Sequence, residues 1–252
     1  MRLCLKLRQG QAFGVHFLSQ RFPKAFGLWR VRAEPGLASF DHAPLDPEAR
    51  CSQYAGVSKR VYLAGPDVFL PDVVQRAERL KHVCARHGLV GVFPLDPLPD
   101  EPAGWSALPL ARAIARRNEA HIRRCDGLVA NLTPFRGPGA DGGTAYELGF
   151  ARALGRPVFG WSNAAGSYLD RCALWPGATR QGRAWLDPDG LEIEAFGLPD
   201  NLMMACALSE SGADMMADGP AAAWSDLGAY ERCVMLAAKV LGVRPEDPAT
   251  DA

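Results

Sequence analysis

Patterns for binding a metal, building a disulfide framework or crossing a membrane are missing from this chain. Its seven cysteines, Cys4, Cys51, Cys84, Cys125, Cys172, Cys206 and Cys233, form no CxxC pair and are scattered through apolar segments. That usage fits reduced thiols in a cytoplasm better than a disulfide framework. The five histidines, His16, His42, His82, His87 and His121, show no HExxH or other ligand spacing. Neither a metal nor another cofactor is therefore expected, and His82 and His87 read as solvent-facing helix residues. No apolar run is long enough for a signal-peptide core or a membrane span. An overall basic field is absent too, because Lys plus Arg equals Asp plus Glu at 28 each, which leaves nucleic acid without electrostatic support as a partner.

What is present suits a soluble globular protein with one sizeable core, at 252 residues, 48% hydrophobic and 22% charged. Residues 1–57 stand apart. Arg2, Lys6, Arg8, Arg21, Lys24, Arg30 and Arg32 precede the first acid at Glu34, and Pro, Gly and Ser interrupt any periodicity. A basic, acid-poor start is also compatible with a transit peptide. The preferred expectation is a loosely ordered extension or an overcalled translation start, followed by a functional α/β domain over 58–245 and a tail over 246–252.

From Arg60 a βα rhythm sets in. Val61–Ala64 reads as a strand, Gly65-Pro66-Asp67 breaks it, and Val73, Ala77, Leu80 and Val83 recur at helical spacing behind a Pro71-Asp72 cap. Gly88 stops that helix. Leu89–Phe93 is a second strand, Pro94–Pro109 a long proline-rich loop suited to covering a site, and Pro109 to Arg124 a helix. Gly127–Leu132 is an uncharged apolar run, as a buried parallel strand should be, followed by a helix over Thr144–Leu154 and a strand over Val158–Trp161. Beyond Trp161 the rhythm loosens. Asn163–Cys172 is open to a short helix, Arg183–Glu194 reads as a hairpin-like insertion about an Asp187-Pro188-Asp189-Gly190 turn, and Asn201–Leu208 fits strand or helix. Trp224, Leu227, Glu231, Val234, Ala238 and Leu241 space a final helix.

The informative stretch is the loop after the third strand, Asn131-Leu-Thr-Pro-Phe-Arg-Gly-Pro-Gly-Ala-Asp141-Gly-Gly-Thr144-Ala-Tyr-Glu147. Open α/β sheets place ligands beyond the carboxyl ends of their strands, and Asn131, Asp141 and Glu147 all reach that edge. Tyr62, near the end of the first strand, and Gly65-Pro66 reach it as well. Asp126, at the opposite edge, reads as structural. Two readings without chemistry stand beside the functional one. Thr144-x-x-Glu147 fits a capping box, and a glycine-rich loop before a helix makes a generic anion cradle. Tyr62 likewise fits a core aromatic.

Taken together, Val61-Tyr-Leu-Ala-Gly-Pro66 with Phe69, Asn131-Leu-Thr-Pro-Phe-Arg-Gly-Pro138, Asp141-Gly-Gly-Thr-Ala-Tyr-Glu-Leu-Gly-Phe-Ala151 and Gly197-Leu-Pro-Asp-Asn-Leu-Met203 occur in the order found in nucleoside 2-deoxyribosyltransferases. From about Lys59 to Ala207 the chain resembles that family. The resemblance implies a flavodoxin-like, doubly wound parallel sheet of about five strands with helices on both faces, and exchange of the base on a 2′-deoxynucleoside in nucleotide salvage. It implies Glu147 as nucleophile, Tyr62 orienting it, and Asp141 as an active-site carboxylate for sugar hydroxyls or proton traffic. Gly65, Pro66, Phe69, Asp96, Asn118, Asn131, Gly143, Asn201 and Met203 are the expected substrate-binding positions. Asn201, with Met203, resembles an element that reaches into a neighbouring subunit's site, so a homo-oligomer is implied.

Two departures from the family pattern stand out. Some members carry an aspartate where this chain has Asn118, and an amide does not donate a proton as an acid does. Some end in a short tail whose carboxylate touches the base, whereas here a further helix follows the Asn201 element. Three classes remain open from sequence: the transferase, an N-glycosidase acting on 2′-deoxynucleoside 5′-monophosphates with Gly137–Gly143 around the phosphate, and a non-catalytic nucleotide-binding module. A carboxylate at Asp141 suits a 5′-hydroxyl better than a phosphate.

Overall fold

The computed structural model describes residues 58–96, 107–219 and 223–243, so the expectations for 1–57, for most of the Pro94–Pro109 loop and for the 246–252 tail lie outside the described residues. The main sheet is built from β1 (Lys59–Ala64), β2 (Leu89–Val92), β3 (Gly127–Asn131), β4 (Val158–Ser162) and β7 (Met216–Ala217). All four pairings are parallel, in the order β2-β1-β3-β4-β7. This is the flavodoxin-like order. Val61, Leu63, Val129, Phe159 and Trp161 bury one face against α1 (Val73–Arg86) and α6 (Gly228–Val240). Tyr62, Ala64, Leu128, Ala130, Leu132 and Val158 bury the other against α2 (Ala107–Arg124), α3 (Gly142–Ala153) and α5 (Leu202–Glu210). Helices on both faces explain why β3 and β4 are buried at every residue and read as unbroken apolar runs.

Parallel register brings the ends of β1 and β3 together, with Leu63 opposite Val129 and Ala64 opposite Ala130. The turns that leave these two strands therefore meet at one edge. Gly65 is required there, since a Cβ would stand 2.7 Å from both Asn131 Cβ and Asp67 Oδ2. A second close approach occurs at Gly160 on β4, where a Cβ would fall 2.6 Å from Leu208 Cδ1 of α5.

Several elements differ in extent from the sequence reading. β7 was not foreseen as a separate strand, because two residues carry no periodicity; its place is set by pairing with Trp161 and Ser162. α3 begins at Gly142 rather than Thr144, because Asp141 caps it by accepting from the Thr144 N–H at 2.9 Å. α6 begins at Gly228, not Trp224: the Asp226 carboxylate takes the Gly228 N–H and Asp218 takes that of Ala229. Asn201–Leu208 resolves as helix, α5. A short helix α4 (Tyr168–Ala173) precedes a hairpin of β5 (Thr179–Gln181) and β6 (Ala184–Leu186) that turns at Gly182, φ 63°. The expected Asp187–Gly190 turn follows, closed by Asp187 Oδ1, and returns the chain so that Glu192 bridges Leu186. Among the described residues, no helix is long and apolar enough to cross a membrane.

The 3₁₀ turn Pro66–Phe69 after β1 is held from beneath by charge. Asp67, 3% exposed, pairs with Nε of Arg76, 1% exposed, at 2.7 Å. Its other oxygen accepts from Asn131 Nδ2 at 2.8 Å, and Asn131 Oδ1 accepts the Thr133 N–H at 3.0 Å. The Arg76 guanidinium also lies 5.8 Å from the Trp161 ring centroid. Removing one partner of a buried ion pair strands the other charge. Arg76→Leu should therefore lower the free energy of unfolding by about 3–5 kcal/mol, read from urea denaturation monitored by tryptophan fluorescence.

Candidate active site

At the carboxyl edge, on the α2/α3 face of the sheet, three side chains expected from sequence meet. Tyr62 is placed by β1, where its position in the two-residue alternation points it away from α1. Glu147 is set by the second turn of α3, and Asn118 by α2. The Tyr62 hydroxyl donates to Glu147 Oε1 at 2.7 Å, and Asn118 Nδ2 donates to the same oxygen at 3.0 Å. Both donors converge on Oε1; among the described residues, none is hydrogen-bonded to Oε2. The Glu147 side chain thus turns into the fold and away from the helix start. The capping function belongs to Asp141, three residues before Thr144.

Burial dominates the electrostatics of this group. It pushes the Glu147 carboxyl from its ordinary 4.5 up to about 7, against the opposing pull of the Tyr62 and Asn118 hydrogen bonds, with a further upward push from the Asp141 charge. Burial, then the Glu147 charge and its hydrogen bond, hold the Tyr62 phenol well above its ordinary value, so it donates throughout the physiological range. Asp141 Oδ2 accepts from both the backbone and hydroxyl of Thr144. A Cβ at Gly143 would stand 3.0 Å from that same Asp141 oxygen.

The remaining expected positions fall into two groups. Pro66 and Phe69 lie on the 3₁₀ turn. Phe69 is exposed and stacks on Phe135, with centroids 5.4 Å apart and planes 12° from parallel. The Arg136 guanidinium lies 5.0 and 4.6 Å from those two rings, on a backbone with φ 57°. Phe135 and Arg136 belong to a motif visible in the sequence, but their partnership with Phe69 was not, since it spans two loops. Other expected residues have side chains engaged within the fold. Asn131 holds Asp67; the Asp96 carboxylate accepts the Phe93 N–H at 2.9 Å and pairs with Lys81; Asn201 caps α5 and donates to Glu194 at 2.6 Å. Met203, in the first turn of α5, is 72% exposed. At the opposite edge, Asp126 takes the Arg60 N–H and the Lys59 ammonium, the structural role its position suggests.

A doubly wound parallel sheet with a buried, phenol-bonded carboxylate beyond its strand ends defines the class. Residues 61–203 match the family model described as nucleoside 2-deoxyribosyltransferase, and the chain belongs to that family. An uncharacterised protein of Schizosaccharomyces pombe is 32% identical over 170 residues, 63% of this chain and 81% of its own length. Among solved structures, the 2-desoxiribosyltransferase from Leishmania mexicana is 30% identical, with 70% of this chain and 97% of that one covered and a TM-score of 0.49. A CMP N-glycosidase from Clostridium botulinum is 19% identical, with 41% and 71% covered and a TM-score of 0.28.

The raised Glu147 value has a consequence for stability. A carboxyl that titrates at 4.5 when unfolded and about 7 when folded favours the fold fully below pH 4.5. That contribution is lost as pH rises to about 7, because the unfolded chain releases its proton first. The difference corresponds to about 3 kcal/mol. Between pH 4.5 and 8.5, wild type should therefore lose up to about 3 kcal/mol more unfolding free energy than Glu147→Gln, measured by denaturant titration at both pH values.

Proposed function

We propose that the protein exchanges the nucleobase of 2′-deoxyribonucleosides through a covalent deoxyribosyl ester on Glu147. The observation that carries this reading is the Glu147 carboxylate itself, with one oxygen held by two donors and the other without a hydrogen bond among the described residues. Glu147 Oε2 attacks C1′ on the face opposite the base. The C1′–N bond breaks, and its electron pair leaves with the base, which takes up a proton. A second base then attacks C1′ from the vacated face, the ester C–O bond breaks, and the carboxylate is regenerated. Two inversions give net retention.

Tyr62 and Asn118 fix the oxygen that does not attack, so the attacking one is presented in a defined direction. Neither is a proton source for the base: burial keeps Tyr62 protonated, and an amide is no acid. Burial of the site favours a base over water as the second nucleophile. Asp141 supports a nucleoside over a nucleotide. Its carboxylate caps the amino end of α3, the position a phosphate would use, and the nearby Ala140 N–H is taken by Asp200. The aromatic pair Phe69–Phe135 offers a flat surface suited to a planar base. In this reading Met203, exposed beside the Asn201 cap, meets a second copy of the chain, and Asn201 completes that copy's site.

Incubation with a deoxynucleoside, with and without a second free base, should give the exchanged nucleoside only when the second base is present. Free sugar in both arms would identify a glycosidase; neither product would identify a binding module. Glu147→Gln should abolish exchange by several orders of magnitude, about 4 kcal/mol or more in the barrier. Inactive Glu147→Ala and Asn201→Ala proteins, once mixed and allowed to exchange subunits, should recover part of the activity; no recovery would count against a shared site.

A further inference from the structure

His121 lies one turn beyond Asn118 on α2, on the helix face turned toward Tyr62. It is 4% exposed, and its ring stacks on that of Tyr62 with centroids 6.4 Å apart and planes 25° from parallel. Nε2 stands 2.9 Å from the backbone carbonyl of Asp96. A carbonyl only accepts, so Nε2 carries the proton. Burial holds the ring below the usual histidine range, which keeps it neutral. Asp96 is itself fixed, since its carboxylate closes the turn on the Phe93 N–H and pairs with Lys81.

An imidazole buried against the Tyr62 ring is unfavourable unless its N–H is satisfied. Here the satisfying bond also fixes where the ring sits. The Tyr62 backbone is held by β1, which leaves its ring two side-chain torsions. Rotation about Cβ–Cγ leaves the hydroxyl oxygen on its axis, but a small rotation about Cα–Cβ would carry it off Glu147 Oε1, and the 2.7 Å bond depends on that rotation being prevented.

We propose that His121 is a positioning residue: pinned by its bond to the Asp96 carbonyl, its ring braces the Tyr62 ring so that the phenol stays on Glu147. His121 touches neither the substrate nor Glu147 in this account and acts only through Tyr62. The kinetic part of the inference rests on Glu147 being the nucleophile. The geometric part does not.

The test is a double-mutant cycle read on Glu147 directly. Wild type, Tyr62→Phe, His121→Gln and the double variant, carrying glutamate labelled with ¹³C at the side-chain carboxyl, are titrated by NMR. Loss of the phenol bond removes a stabiliser of the carboxylate, so Tyr62→Phe should raise the Glu147 midpoint. His121→Gln, which keeps a donor within reach of Asp96 but removes the ring, should raise it in the same direction. In the Tyr62→Phe background the same change should add nothing. His121→Phe, which keeps a ring against Tyr62, should lie closer to wild type than His121→Gln and serves in its place if the glutamine variant does not fold. In turnover, His121→Gln should lower kcat about tenfold with KM for the deoxynucleoside nearly unchanged. An unchanged Glu147 midpoint in His121→Gln, or an equal rise with and without the Tyr62 hydroxyl, would overturn the proposal. A wild-type protein that neither exchanges nor hydrolyses would instead overturn the nucleophile reading, leaving the titration to decide the brace on its own.

Discussion

The desolvated carboxylate of Glu147 is the constraint to which the rest of the site answers. In the fold it sits where burial favours the protonated form, and two donors partly offset that cost. Tyr62 and Asn118 come from a strand and a helix far apart in sequence, 85 and 29 residues from Glu147. They meet it only because β1 and β3 pair in parallel and α2 and α3 lie on the same face. Disturbing the sheet register by one residue would turn Tyr62 to the α1 face and leave the carboxylate with a single donor.

A carboxyl near 7 is poised between two needs. In the proposed nucleophilic role it must be ionised, and attack is more favourable from a carboxylate that water does not stabilise. The same desolvation makes the ionised state a burden on the fold. Asp141, close enough to raise Glu147 further, adds to that burden while capping α3. On the other side of the sheet, the buried Asp67–Arg76 pair pins the 3₁₀ turn against β3 through Asn131. That turn carries Phe69 and the backbone at Gly65, so the α1 face of the sheet shapes the site on the other.

Sequence made the scaffold legible where elements are long and periodic. β1, β3 and β4 are apolar runs, and glycines at 88 and 155 mark helix ends as they do in the structure, at φ 73° and 69°. Tyr62, Asp141 and Glu147 are legible as site candidates through motifs and their edge of the sheet, and Asn118 only through the family resemblance. Their mutual bonding was not. Local pattern alone left Glu147 divided between a cap and a nucleophile, because Thr144-x-x-Glu147 satisfies both; the Asp141–Thr144 bond removes the first. Asn131 ends β3 at the carboxyl edge, as its place in the sequence suggests, but its side chain turns to Asp67, which only the pairing of β1 with β3 reveals. His121 and Arg76 stayed hidden because each is a polar residue on a buried helix face. No periodicity marks such a residue until its distant partner, the Asp96 carbonyl or the Asp67 carboxylate, is brought beside it.

The proposed bond between Glu147 and the sugar can be tested directly. A 2′-deoxynucleoside analogue carrying an electron-withdrawing 2′-fluorine should slow breakdown of the ester and leave the sugar attached to the protein. Peptide mass spectrometry after digestion should then find one fluorinated deoxyribosyl adduct, on the peptide containing Glu147, and the adduct should disappear when a free base is added. An adduct on Asp141 or Asp96, or base exchange that proceeds in Glu147→Gln at the wild-type rate, would contradict the account.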